Sequence, residues 1–339
     1  MQKRKNLLFI MTDHQRFDSI YEVQCGREVT PNLNKLADSG AFFTRAYNVC
    51  PLCVPARTSL ATGIYPTQNG IVYNDWKGLH AGSYPTIYEL LKQADYQVGH
   101  VGVDHINTTK PLSDLGLDHY KSQVDYNAWA KAQGIPTERD SENLTTVLED
   151  VLGQKEERRY SNTRVSEWTY PTETYKDSYF LEESLNFLKK ADKSKAFALF
   201  TCFWAPHPPL VVPKEYLDMY PLEEIRLPDN VGKIGEKEPS LRREGVPAQL
   251  AEGLGHDDWK KVWQAHLALT TLVDRCIGTL INYVRDQGLL EDTLIVFTPD
   301  HGDHLGQHRR YQKMEMFEEA VKVPLIIGQK DAEPQVLKQ

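Results

Sequence analysis

Short apolar runs alternating with stretches of helical periodicity predict an α/β fold, a mostly parallel sheet sandwiched by helices. A second observation supports the same class: polar clusters follow the runs, at Asp13, His105, His207 and Asp300. Open α/β sheets bind their ligands at the carboxyl ends of the strands, so these clusters mark a candidate site.

Taken in order, residues 7–11 form a short buried strand that ends in Thr12, Asp13 and His14. Over residues 31–39, Leu33, Leu36 and Ala37 recur at helical spacing behind Thr30 as a candidate N-cap. Residues 87–93 make a second amphipathic helix and lead into a strand over 97–103. Residues 112–174 turn polar and irregular, with Pro136, Pro171 and a charged run over 156–159, and read as an insertion whose loops shape a pocket. A helix over 178–190 places Phe180, Leu181, Leu185, Phe187 and Leu188 on one side, and a strand over 197–203 follows. Residues 208–258, rich in Pro, Gly and charge, read as a long surface excursion. A helix over 259–287 feeds Gly288, a buried strand over 293–297 ends at Asp300, and a last strand over 323–327 precedes a polar tail at 329–339. One catalytic unit over residues 1–328 is expected.

The 339 residues suffice for one large core or two modest ones. A net charge of −8 with 25% charged residues argues against non-specific nucleic-acid or membrane binding. An anionic substrate therefore requires positive charge concentrated locally. Cys25, Cys50, Cys53, Cys202 and Cys276 are scattered and odd in number, unlike a disulfide framework, which favours a reducing compartment. The apolar run at 7–11 is too short for a signal peptide, so a cytoplasmic location is expected, or a periplasmic or secreted one if a leader has been removed. No run approaches the roughly 20 apolar residues of a membrane span.

Cys53 carries the sharpest motif, Cys53-x-Pro55-x-Arg57 followed by Thr62-Gly63. By itself it leaves three readings: a buried small hydrophobe, a Cys50/Cys53 redox or zinc pair, or a specialised active-site residue. Asp13-His14 and Asp300-His301 stand after two strands as candidate metal ligands, with helix capping as the bland alternative. A cation held by hard oxygen ligands can lower the pKa of a bound hydroxyl and polarise a transferred group.

The Cys53 motif resembles the signature of type I sulfatases, in which a maturation enzyme oxidises the cysteine to formylglycine. The resemblance extends over residues 6–18, 30–63, 196–209 and 270–328, and the string from Asp300 to His308 with Lys313 beyond it looks like the family's second metal motif. It implies the alkaline-phosphatase-like fold, a mixed sheet between helices with a smaller C-terminal antiparallel domain. Twelve residues follow Ile327, so that small domain is expected to be missing or truncated. Carried across, Asp13, His14, Asp300, His301 and position 53 would bind one divalent metal, with Ca2+ expected and Mn2+ or Mg2+ as alternatives. The hydrated aldehyde at position 53 would attack sulfur, expel an alcohol, and release sulfate by collapsing back to the aldehyde. Arg57 would hold the aldehyde and metal-bound oxygens, His105 would assist elimination, His207 would face the leaving group as acid, and Lys313 would bind sulfate. The implied partners are a small-molecule or carbohydrate sulfate ester and the maturation enzyme.

Three departures from the family pattern stand out. Gly102-Val103-Asp104-His105 has valine where the family carries a sulfate-binding lysine, with His100 or Lys110 as candidate substitutes. His14 stands where a second aspartate is common and tilts the site toward manganese. The short C-terminus is the third. Phosphonate monoester or phosphodiester hydrolysis with the same nucleophile is thus the alternative activity, and an inactive metal-binding homologue the third. His304 and His308 read as structural.

Overall fold

Eight strands form the central sheet: β1 (Asn6–Asp13), β2 (Gly40–Tyr47), β3 (Gln97–Gly102), β4 (His119–Ser122), β5 (Phe197–Pro206), β6 (Thr293–Pro299), β7 (Lys322–Gly328) and β8 (Gln335–Leu337). Their spatial order is β8-β2-β7-β6-β1-β5-β3-β4. All neighbours pair in parallel except β7, which runs antiparallel to both β6 and β2. The structure is a computed structural model that describes residues 4–74, 80–137, 141–151, 153–328 and 335–337.

Helices cover both faces, which explains why the central strands read as continuous apolar runs rather than alternating ones. Along β1, Leu8 and Ile10 enter the larger core and Phe9 and Met11 the smaller one. The larger core takes in α1 (Pro31–Asp38), α4 (Lys176–Lys190) and α5 (His256–Asp286). The smaller holds Ala61 of α2 (Cys53–Thr62) and Tyr88 of α3 (Ile87–Gln93). Helix α5 is long and apolar enough to cross a membrane by length and composition, but 78% of its most apolar stretch is buried inside the protein, as befits a core helix.

Several expectations change. Thr30 stands at the N-cap of α1 without capping it; its hydroxyl donates to Ser19 O at 2.8 Å. The cap comes from α5, where the Asp274 carboxylate accepts from Asn32 N at 3.0 Å and Leu33 N at 2.9 Å. That approach requires Gly278, since a Cβ there would meet the Asn32 side chain at 2.4 Å. Strand β2 was not expected, because its outer half is exposed and its sequence therefore mixes polar with apolar residues. The tail supplies the edge strand β8, while residues 329–334 and 338–339 lie outside the described residues.

The two segments read as loops are structured as well. Residues 112–174 contain β4, the helix Gln123–Ala132 and an antiparallel hairpin of Leu144–Val151 with Gln154–Ser161. Val165–Trp168 pairs in parallel with Leu210–Pro213, which ties this insertion to the 208–258 segment. Tyr220, Ile225 and Leu250 from that segment are buried. The polar sequence conceals these elements because their faces are mostly half-exposed. Together they form one flank beside the carboxyl edge of the sheet.

Candidate active site

Strand ends deliver the site residues to one place. Asp13 closes β1, His105 follows β3, His207 follows β5 and Asp300 follows β6. Position 53 arrives by another route, as the first residue of α2. The Thr62-Gly63 pair of the motif ends that helix: Gly63 adopts φ 69° and donates to Ser59 O at 2.8 Å.

Cys53 is 3% exposed, and among the described residues three groups approach its sulfur. Lys313 Nζ donates to Sγ at 2.7 Å, His301 Nε2 lies at 3.3 Å, and Asp13 Oδ1 at 3.7 Å. Burial, reinforced by the Asp13 carboxylate, pushes the thiol up to about 12, so an unmodified Cys53 is held as a thiol despite Lys313. All five cysteines are free, and Cys50 belongs to no cluster of ligating side chains among the described residues. The redox-pair and zinc readings lose their support on that ground.

Arg57 ties the two carboxylates together from one helical turn further on. Its Nε donates to Asp300 Oδ2 at 2.8 Å, one Nη to Asp13 Oδ2 at 3.1 Å and the other to Val103 O at 2.9 Å. Asp13 is pushed up to about 7 by burial and the charge of Asp300. For Asp300 burial acts in the same sense, but Arg57, His301 and Lys313 outweigh it and hold its carboxyl below the usual range. His301 donates from Nδ1 to Gly302 O at 2.9 Å, which leaves Nε2 as a lone pair facing the cluster. Burial keeps this imidazole neutral by lowering it to about 4.

Two ligating groups share Asp13 and Cys53. Asp13, Cys53, Asp300 and His301 bring ligating atoms within 4.8 Å of one another, and so do Asp13, His14, Cys53 and His207. His14 belongs to the second group, yet its ring lies 4.6 Å from that of His301 and its backbone N–H donates to Asp300 Oδ1 at 3.4 Å. Its Nδ1 meets Asp303 Oδ2 at 2.7 Å, and its Nε2 accepts from Lys313 Nζ at 2.6 Å. Burial and the Lys313 charge hold His14 well below the usual imidazole range, so it remains neutral. His207 packs its ring on the His14 edge at 4.3 Å and against Trp204 at 4.2 Å.

His105 follows Gly102, whose φ of 108° turns the chain; a Cβ there would meet Cys202 O at 1.9 Å. The His105 Nδ1 is buried without a partner, and burial lowers this histidine to about 4. It belongs to neither ligating group. Val103 is 1% exposed in the larger core, and its carbonyl holds Arg57. Neither suggested substitute for the missing lysine fills that role: Tyr88 OH engages His100 at 3.0 Å, and Lys110 is exposed. Asp104 is turned aside, accepting from Tyr120 OH at 2.6 Å and His105 N at 2.7 Å. Among the described residues, Lys313 is therefore the ammonium that faces Cys53.

Two contributors escaped sequence reasoning. Asp303 fixes the His14 tautomer and also accepts from Gln312 N at 3.0 Å, which steers the loop bearing Lys313. Its signal was its place in Asp300-His301-Gly302-Asp303. Trp204 has no local signal beyond lying in an apolar strand. His308 is structural as expected, stacked on Phe317 at 4.3 Å and within 3.2 Å of Glu319.

Residues 5–339 match the sequence profile of the sulfatase family. The multifunctional alkaline phosphatase superfamily protein PehA of Trinickia caryophylli is 29% identical over 372 residues, covering 97% of this chain and 68% of its own length. An arylsulfatase of Clostridium perfringens (strain 13 / Type A) is 27% identical over 338 residues, covering 96% of this chain and 68% of its own length. Among solved structures, the phosphonate monoester hydrolase of Agrobacterium radiobacter superposes with a TM-score of 0.75 at 20% identity, covering 99% of this chain and 71% of that one. The mixed sheet and the full-length profile match lead to one conclusion: the chain belongs to the sulfatase family and is an enzyme of the sulfuric ester hydrolase class.

Proposed function

We propose that the chain hydrolyses sulfate esters with position 53 as nucleophile after its oxidation to formylglycine, assisted by one divalent cation. The observation that carries this reading is the meeting of Cys53 with Asp13, Asp300 and His301 within 4.8 Å, with Lys313 at 2.7 Å from the sulfur. The donors fit a cation: two buried carboxylates and one neutral imidazole with its lone pair inward. With His14 turned to Lys313, that group holds one nitrogen rather than two, which favours Ca2+, with Mg2+ or Mn2+ as alternatives. When bound, the cation would lower the pKa of a hydroxyl at position 53 and polarise the sulfate. Formylglycine would supply a diol whose second hydroxyl permits release without attack of water on sulfur.

The remaining work falls to the chain's own groups. Arg57 orients both carboxylates. Lys313 places positive charge against the oxygens of the transferred group, which offsets the protein's overall negative charge where it matters. His14, fixed by Asp303, accepts from Lys313 and holds it in place. His207 is the acid for the departing alcohol, and His105, with its unpartnered Nδ1, assists elimination.

Val103 supports a second reading, phosphonate monoester or phosphodiester hydrolysis, because it leaves the site one cation short of the usual sulfate set. Mass spectrometry of the peptide bearing residue 53, after co-expression with a maturation enzyme, tests the nucleophile; an unmodified thiol in fully active protein refutes it. Parallel kcat/KM measurements on aryl sulfate, phosphodiester and phosphonate esters then decide between the two activities.

A further inference from the structure

Strand β5 leaves its regular register just before it delivers His207. Its pairing with β3 ends at Cys202 opposite Gly102, and along β1 the register passes from Met11–Cys202 to Asp13–Pro206, so that one residue of β1 faces three of β5. A bulge of this kind bends the strand and re-aims the side chains beyond it, and its backbone groups need other partners. Here the partner is a side chain. Asp177, fully buried in the first turn of α4, accepts from Trp204 N at 2.6 Å and from Ala205 N at 3.2 Å. Consecutive N–H groups of a regular strand point to opposite sides, so one carboxylate that holds two in a row fixes the turned backbone.

The turn then closes on His207, whose N–H donates to Trp204 O at 3.0 Å. The Trp204 ring is held too: the Lys176 ammonium sits 4.1 Å over it, and the His207 ring packs on it at 4.2 Å. Two adjacent residues of α4 therefore act on one route, Asp177 through the backbone and Lys176 through the ring against which His207 rests. A neutral oxygen would satisfy the same two N–H groups, but an ionised carboxylate makes shorter and stronger hydrogen bonds. What the charge adds is rigidity at the strand end. His207 Nδ1 donates to Pro208 O, so a proton passed to an alcohol leaves from Nε2.

We propose that Asp177 is a positioning residue for the leaving-group acid: with Lys176 it holds the 204–207 turn so that His207 Nε2 meets the departing oxygen. As position 53 forms its bond to sulfur and the bond from sulfur to the alcohol oxygen breaks, the electron pair goes to that oxygen, which takes the proton from Nε2. The inference rests on the ester-hydrolase reading, in which His207 is the acid, and it extends that role to a residue that touches neither substrate nor ligating group. Its signature follows from the chemistry. A 4-nitrophenolate departs readily without a proton, whereas phenolate and above all an alkoxide do not, so a misplaced acid slows poor leaving groups more than good ones.

The test compares kcat/KM of the full, matured chain on 4-nitrophenyl, phenyl and benzyl sulfate, with the matching methylphosphonate monoesters in parallel so that the outcome does not depend on which ester the site prefers. Asp177→Asn should lower kcat/KM about tenfold more on the phenyl and benzyl esters than on the 4-nitrophenyl ester, Lys176→Met about threefold more, and His207→Ala about a hundredfold more. Adding Asp177→Asn to His207→Ala should cost little further, because both changes remove one function. Lys176 is only half-buried, so its variant keeps the test open should Asp177→Asn fail to fold. The proposal is overturned if the folded variants lose the same factor on every leaving group, or if the losses of Asp177→Asn and His207→Ala multiply. A leaving-group dependence in His207→Ala alone sinks the positioning role and spares the acid; its absence from His207→Ala refutes the acid assignment, and the positioning role falls with it.

Discussion

The sheet edge around Cys53 and the flank around Trp204 touch through one ring, yet they are held by different forces. At the edge, Asp13, Asp300, Arg57, His14 and Lys313 are all at most 3% exposed, and each charge is matched by a partner from a different element. In the flank, aromatic packing predominates, and the buried Asp177 is satisfied by backbone N–H groups. Paired buried charges make a rigid centre in which losing one partner strands another. Aromatic packing tolerates single changes better, so the flank can vary which alcohol is accepted while the chemistry next to it stays fixed.

The largest expected effect tests the centre directly. Cys53→Ala should lower kcat on an aryl sulfate by on the order of a thousandfold or more while leaving the fold intact by circular dichroism. Next, Arg57→Met leaves Asp13 and Asp300 facing each other without their shared cation. In metal-free protein it should cost about 3–5 kcal/mol by denaturant titration, and added Ca2+ should restore part of that loss. No recovery with Ca2+, Mg2+ or Mn2+ would argue against a cation between those carboxylates.

The flank should respond to pH rather than to metal. Burial raises Asp177 from 3.8 to about 6. Between those values the folded state binds more protons than the unfolded one, so this group's contribution to stability falls as pH rises through the window and levels off above it. Asp177→Asn should remove that slope, at most about 3 kcal/mol, as read from denaturation at successive pH values. An unchanged slope would mean that Asp177 is not buried as described. The smallest effect returns to the centre: Asp303→Asn, which disturbs the His14 tautomer, should lower kcat about tenfold to a hundredfold and alter the pH profile. A loss confined to stability would reduce Asp303 to a structural role.

Legibility followed the same division. The ends of β1, β5 and β6 could be read because parallel strands buried on both faces leave continuous apolar runs, and the polar residues after them stand out. The Cys53 motif was readable because each part has a local job, the first turn of α2 and its Gly63 cap. Strand β2 and the flank hairpin were not readable, since half-exposed strands mix polar and apolar residues without a clean period.

Sequence alone determined the fold class, the sulfatase-like motif and the set of polar residues that meet at the carboxyl edge. Which of them face one another was decided only in three dimensions. His14 turns to Lys313 and Asp303, Arg57 joins Asp13 to Asp300, and Val103 sinks its side chain into the core. The reason is physical: strand periodicity fixes where a side chain starts, but a buried charge settles against whichever opposite charge or donor another strand brings within reach.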